Sequence, residues 1–312
     1  MIKIGVVNID TSHPNTFAAR MAQGDRARYT AIYNDGFRED DEVESFMAKN
    51  GIEKRYSDLS EMAESIDVAF IQGCNWDKHL EYADPFIKAG KPVFIDKPIV
   101  GNMKDIKKLY EYVDSGAVIL GSSSVRYAKE ICDFLAIPKE NRGEIVNVYG
   151  TSGVDEFNYG IHITEGFGGL IDSDAISCKH TGTAEVAGKK CENYIIKYAN
   201  GVTASYSLFI GSWHPFTITV QTTRTTYNFK IDSAALYDAL LNRLFDSLES
   251  GEMKTASVDK LCESVKIMIA GKVSLENGDK EILLSDIPED HQGYDGYAFE
   301  KGYAASSKKI YI

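Results

Sequence analysis

"VVNIDTSHPNTFAARM", residues 6 to 21, decides how the first half of the chain is read. An apolar run, Ile2 to Val7, precedes it, and a helix-like stretch, Asn15 to Met21, closes it. Strand, tight turn and helix in that order form the corner that cradles a phosphate in parallel α/β sheets. Such a corner ordinarily carries glycines, and none stands between Asn8 and His13. Those glycines have two tasks: positive φ in the turn, and no Cβ beside the phosphate. Asn8 and Asp10 tolerate left-handed backbone better than most residues. Thr11 and Ser12 put hydroxyls at a helix start, beside N–H groups that the helix itself leaves unpaired. Asp10 either repels a pyrophosphate or caps the helix through backbone N–H groups. A self-capped helix with no ligand therefore stands open beside the nucleotide corner.

Outward from this corner, the first 120 or so residues alternate strand and helix. Apolar, β-branched runs lie at Ile2–Val7, Tyr29–Tyr33, Val68–Ile71, Pro92–Ile95 and Ala117–Leu120. Amphipathic stretches at 39–50, 78–89 and 102–115 separate them. That alternation predicts a parallel sheet with helices on both faces. "KAGKP" (88–92) and "DSGA" (114–117) put glycine where a helix stops before a strand. After about residue 122 the period changes. The stretches 144–153, 192–210 and 215–231 alternate apolar with polar, and "ANG" (199–201) reads as a hairpin turn. A mainly antiparallel sheet with one uncovered face follows, then helices near 235–250 and 257–276. The expected domains are residues 1–121 and 122–312. The Tyr- and Gly-rich stretch from Pro288 has no clear period.

A chain of 312 residues suits two domains. Its net charge of -12 would repel phosphate backbones and anionic lipid, so nucleic acid and membrane surfaces are poor partners. No stretch approaches the ~18 apolar residues of a membrane span, and the N-terminus is no signal peptide. Five scattered cysteines without a C-x-x-C suggest reduced thiols in a cytoplasm. Cys178 and His180 form a C-x-H pair, but no second pair completes a zinc site, so no metal is expected.

Several residues could carry chemistry. "FIDKPI" (94–99) ends a strand, which puts Asp96 and Lys97 at the carboxyl edge of the sheet, where ligands bind. An ammonium there can orient an alcohol or relay its proton, although a solvated turn lysine is the ordinary reading. In "IQGCNWDKHLEYA" (71–83), Asn75 could cap a helix and His79 falls in its first turn. In "NYGIHITEGFGGLID" (158–172), His162 and Glu165 share one helix face. A neutral imidazole beside a carboxylate can take an alcohol proton while hydride leaves. As a bare pattern, His-x-x-Glu is more often structural. Asn34 and Asp35 end the second strand, where an acid binds a ribose diol and disfavours a 2′-phosphate, while Arg38 leaves NADP possible.

Taken in order, these stretches resemble the glucose–fructose oxidoreductase and inositol dehydrogenase family, Gfo/Idh/MocA, from about Lys3 to Ile287. "KAGKPVFIDKPIVGN" is similar to its A-G-K-x-V-x-x-E-K-P segment, with Asp96 for the usual Glu. Asn75 and His79 match its N-x-x-H, and Gly160 and His162 its G-x-H. The resemblance implies a Rossmann domain, a C-terminal α/β domain whose open sheet makes homodimers, NAD or NADP, and oxidation of a sugar, cyclitol or related alcohol. It implies Lys97 and His162 as the catalytic pair, facing one another across one cleft, with Glu165 and Asn158 beside them. It implies cofactor contacts from Asn8, Asp10, Thr11, Ser12, His13, Asn34, Asp35, Gly73, Asn75, His79, Asp96 and Lys97. The departures are as informative. G-x-G-x-x-G/A has become Asn8, Asp10 and His13, and the acid four before the histidine has become Asn158. H-x-x-D has become H-x-x-E at Glu165, and Gly73 and Cys74 stand where the family has Thr and Pro. They keep a second reading alive: a small-molecule binding or scaffold protein of the same fold that has lost its cofactor.

Overall fold

The computed structural model describes residues 1–311, which divide into two compact units. The first unit holds Met1–Ser122, Leu241–Val258 and the segment from Asp295, and the second holds Ser123–Leu240 and Asp259–Tyr294. Two later segments thus join the first unit, beyond the residues 1–121 expected for it.

The first unit is built on six parallel strands: β1 (Ile2–Val7), β2 (Ala27–Tyr33), β3 (Lys54–Tyr56), β4 (Val68–Ile71), β5 (Val93–Ile95) and β6 (Ile119–Gly121). Their order, β3-β2-β1-β4-β5-β6, reverses direction between β1 and β4, the switch point where such sheets open a crevice. Helices α1 (His13–Met21), α2 (Asp40–Asn50), α3 (Leu59–Ala63), α4 (His79–Lys88) and α5 (Met103–Asp114) make the crossovers. Strand β4 is buried along its whole length, as a sheet covered on both faces requires. Phe17, Phe70 and Phe94 meet in its core, with Phe70 and Phe94 at 4.8 Å, and each such buried ring contributes about 2–3 kcal/mol. The glycines expected to end helices do so: Gly90 and Gly116 have φ of 69° and 90°. Asn102 caps α5, accepting from the Asp105 N–H at 2.8 Å.

The second unit carries a seven-stranded sheet in the order β12-β11-β7-β10-β9-β8-β13. The strands are β7 (Ile145–Val154), β8 (Ala175–Val186), β9 (Lys189–Tyr198), β10 (Thr203–Ile210), β11 (Thr217–Thr222), β12 (Thr226–Lys230) and β13 (Ile282–Leu283). Every pairing is antiparallel except β7 with β10. The turn at 199–201 joins β9 to β10 as a hairpin, with Gly201 at φ 85°. Among its helices are α6 (Lys129–Ala136), α7 (Lys139–Arg142) and α8 (Gly160–Leu170). The chain then runs through α9 (Leu236–Ser250), α10 (Val258–Glu276) and α11 (Gly296–Ser306). Helix α8 sits close on the sheet because Gly150 has no side chain: a Cβ there would lie 2.7 Å from Ile163. The opposite face of the sheet is polar, as the alternation of apolar with polar residues along its strands requires. Tyr149 donates to Ser207, Ser207 to Asn193, and Thr151 bonds Thr217. Cys178 and His180 lie on β8 as ordinary strand residues, the His180 ring held between Glu192 at 2.8 Å and Asp279 at 2.6 Å.

Candidate functional site

The turn after β1 keeps the backbone that glycine would give. Asn8 has φ 63°, and its side chain completes the turn: its Oδ1 accepts from the Asp35 and Gly36 N–H groups at 2.9 and 3.2 Å. Its Nδ2 donates to the Asp35 carboxylate at 3.1 Å, and the Tyr82 and Tyr33 hydroxyls donate to the same group at 2.6 and 3.1 Å. Asn34 receives the Ile9 N–H at 3.2 Å. The loops after β1 and β2 are thus stitched together before any ligand arrives.

Asp10 neither caps α1 nor faces a phosphate. Its side chain turns inward, where Oδ2 accepts from the Cys74 N–H at 2.9 Å. Its Oδ1 lies so near Gly36 that a Cβ there would be 2.0 Å away. That oxygen is buried with no hydrogen-bond partner among the described residues. Burial raises the carboxyl to about 6; the Cys74 N–H opposes the rise and the Glu300 carboxylate adds to it. Ligand atoms of Asp10, Cys74 and Glu300 all lie within 4.8 Å of one another. With Asp10 turned away, the first turn of α1 is capped by Thr11, whose Oγ1 accepts from the His13 N–H at 3.2 Å. Ser12 is exposed at the helix start and makes no side-chain cap.

His13, in place of the third glycine, reaches across to β5: its Nδ1 lies 2.7 Å from Asp96 Oδ2. Asp96 also accepts from the Lys97 N–H at 2.8 Å. Burial alone would raise the Asp96 carboxyl, but the His13 ring and the Lys97 charge hold it below the usual carboxylate range. Lys97 stands half-buried at the carboxyl end of β5, as expected. Asn75 accepts from the Asp77 N–H at 3.1 Å and so starts the helical turn ahead of α4. The His79 ring is buried between the Gly73 and Ile99 carbonyl oxygens, at 2.9 and 3.1 Å, which makes it a clamp between two loops. Arg38 is buried and fully occupied: it donates to the Asp10 carbonyl, to Glu42, to Ser307 Oγ and to the Lys308 carbonyl.

In the second unit, His162 is buried in the first turn of α8, and its Nδ1 lies 2.6 Å from Ser123 Oγ. Phe216 packs on the imidazole at 4.9 Å. Glu165, one turn along, takes the Arg126 guanidinium at 2.6 Å, with both groups buried. Gly168 and Gly169 give Arg126 its room: Cβ atoms there would lie 2.6 Å from its Nη2 and from its carbonyl oxygen. Asn158 donates to Asp155 at 3.4 Å, just ahead of α8. Lys97 belongs to the first unit and His162 to the second. Sequence reasoning did not find Ser123 as the partner of His162, since one serine in "GSSSV" carries no positional signal. Nor did it find Glu300 or Tyr311, which reach the nucleotide corner from more than 200 residues away.

These residues fit a dinucleotide at its pyrophosphate and ribose. The left-handed turn is present, the one carboxylate within it points inward, and Ser12, ahead of α1, is exposed. Asp35 is exposed at the end of β2, where a ribose diol would be held.

A six-stranded parallel sheet in this order, with a second, mainly antiparallel α/β unit, defines a Rossmann-type architecture. Residues 2–123 match the model of GFO_IDH_MocA, described as an oxidoreductase family with an NAD-binding Rossmann fold. Among solved structures, a probable dehydrogenase from Thermotoga maritima is 18% identical with a TM-score of 0.78, covering 92% of this chain and 100% of that one. The scyllo-inositol dehydrogenase of Lactobacillus casei, solved with NAD(H) and scyllo-inositol, is 14% identical with a TM-score of 0.76, covering 91% and 99%. The myo-inositol dehydrogenase of Lactobacillus casei, in complex with NAD(H) and myo-inositol, is 14% identical with a TM-score of 0.75, covering 91% and 96%. At these identities the likeness is one of fold. No curated protein matches the sequence. No helix among the described residues is long and apolar enough to cross a membrane.

Proposed function

We propose that the protein is an NAD-dependent dehydrogenase of the Gfo/Idh/MocA type, acting on a small sugar, cyclitol or polyol-like alcohol in the cytoplasm. The observation that carries this is the preserved corner after β1: Asn8 at φ 63° beside the exposed Ser12 that precedes α1, in the segment that matches the family model. NAD is favoured over NADP because Asp35 presents an exposed carboxylate at the end of β2 that would repel a 2′-phosphate.

Thr11, Ser12 and the α1 N-terminus would hold the pyrophosphate, and Asp35 a ribose. A bound nicotinamide supplies a hydride acceptor. Lys97, at the end of β5, would hold and polarise the alcohol oxygen. His162 would take the alcohol proton at Nε2, its ring fixed by Ser123 at Nδ1. Glu165, beside His162 on α8, would also anchor Arg126 and so tie the 124–127 turn to that helix. Asn158 and Asp155 would order the approach to His162. A second copy of the chain would pair through the polar face of the second sheet, making a homodimer.

The test begins with calorimetric titration of NADH, followed by a screen of polyols for NADH formation. Lys97→Met and His162→Gln should each slow turnover at least about a hundredfold while NADH affinity changes far less. A folded protein that gives no heat with millimolar NADH would support the cofactor-free binding protein instead.

A further inference from the structure

Segment 295–311 runs over three loops that open at the carboxyl edge of the first sheet. It starts on the loop after β4. Asp295 caps α11 by accepting from the Ala298 N–H at 2.8 Å, and the Gly296 N–H donates to Asp77 at 2.8 Å. A Cβ at Gly296 would lie 2.4 Å from Asn75 Oδ1, so the seat is close. Phe299 packs on Trp76 at 4.8 Å, and Asn75 donates to Glu300 at 2.9 Å. The segment then passes to the loop after β2. Tyr303 meets the Phe37 ring at 6.0 Å, and Arg38 donates to Ser307 and Lys308 at 2.8 and 2.9 Å. It finishes at the loop after β1. There Tyr311 is buried edge-on to Phe46 at 5.3 Å, and its hydroxyl donates to the Thr11 carbonyl.

In a sheet of this order, a dinucleotide lies beyond the carboxyl ends of the strands beside the switch point, with its adenosine ribose on the acid that ends β2. That acid is Asp35. Segment 295–311 touches the loops after β1, β2 and β4, which surround that position. We propose that this segment is a built-in strap that competes with the adenosine half of the dinucleotide, so that cofactor loads only when the strap lifts. The proposal rests on the reading of the first unit as an NAD site.

The form of the contacts favours a competitor over a lid that closes on bound cofactor. The strap uses the polar groups of the crevice for itself: Arg38, Asn75 and the Thr11 carbonyl are each bonded to it directly. Its far end is held at the surface by Lys309, which pairs with Glu39 and Asp41, and by the Ile310 N–H, which donates to Glu42, with Tyr311 buried beyond them.

The test compares NADH binding by calorimetry in the wild type, in Tyr311→Ala and in Phe299→Ala, which loosens the opposite end of the strap. Apparent affinity falls by the fraction of molecules able to bind, so a strap closed about nine-tenths of the time weakens NADH about tenfold. Both variants should therefore bind NADH about tenfold more tightly than the wild type. Hydrogen exchange on the unaltered protein gives an independent readout: saturating NADH should speed exchange across 299–311. Equal or weaker binding by both variants, or slower exchange across 299–311 with NADH, would overturn the strap and leave the NAD reading standing. If neither the wild type nor the variants bind NADH, the strap and the NAD reading fall together.

Discussion

Replacing Asp10 by Asn should make the protein more stable at neutral pH, although it removes a charged group from the heart of the nucleotide corner. Burial raises the Asp10 carboxyl from its usual 3.8 to about 6 in the folded chain. The unfolded chain, with the group in water, titrates near the usual value. Stability from this group is therefore fully present below about pH 3.8 and is lost as pH rises through about 6. Each tenfold change in the proton equilibrium is worth about 1.4 kcal/mol, so the ionised group costs about 3 kcal/mol at pH 7.5. An asparagine has no such cost. Its carbonyl can still accept from the Cys74 N–H, and its amide can donate toward the nearby Glu300 carboxylate. Trp76 is buried in the first unit and Trp213 is 72% exposed in the second, so a Trp213→Phe background leaves one internal reporter. Urea unfolding read by Trp76 fluorescence should show Asp10→Asn more stable by up to about 3 kcal/mol at pH 7.5. The advantage should shrink towards zero near pH 4. An Asp10→Asn protein that is less stable at pH 7.5, or whose advantage is unchanged at pH 4, would refute the reasoning.

Glu165→Leu leaves the buried Arg126 charge without its carboxylate and should destabilise the second unit by about 3–5 kcal/mol. Adding Arg126→Met should recover most of that loss, and unfolding followed by Trp213 fluorescence checks both variants. Light scattering at micromolar concentration should give twice the monomer mass, and Tyr149→Arg, on the polar sheet face, should return it to the monomer. A monomer in the unaltered chain would remove the homodimer.

The parallel sheet was legible because five of its strands fall on apolar, β-branched runs, three of them (β4, β5 and β6) buried throughout, with glycine at the helix ends before β5 and β6. Strand β3 was not legible. It is three residues long, "KRY", with both cations exposed at the sheet edge, so it carries no apolar period. Strand β8 was hidden for another reason. Register shifts at Ala175/Ser177 and His180/Gly182 break its alternation, and its second half is exposed. In the candidate site, Asn8 could be read as a stand-in for glycine because its backbone preference is local. The direction of Asp10 could not be read. It depends on the space left by Gly36 and the N–H of Cys74, and neither is marked in the sequence as its partner. Segment 295–311 was opaque for the same reason: Phe299, Tyr303 and Tyr311 find their ring partners on other elements of the first unit.

The first unit is discontinuous in the chain, and that sets an order of events during synthesis. Its six strands are complete at Gly121, yet Arg26 still lacks the Asp246 and Glu249 carboxylates that it binds at 2.7 Å. Arg38 lacks its partners at Ser307 and Lys308, and the pocket beside Phe46 lacks Tyr311. At about 5–20 residues per second, the ribosome needs roughly 10–40 s to supply these after the sheet has emerged. For that interval the nascent sheet holds an open nucleotide crevice with no strap over it. A dinucleotide present in the surroundings meets its binding groups before the competing segment exists. Freshly made chains should therefore capture cofactor more readily than finished ones, and a finished chain that has lost its cofactor should regain it more slowly.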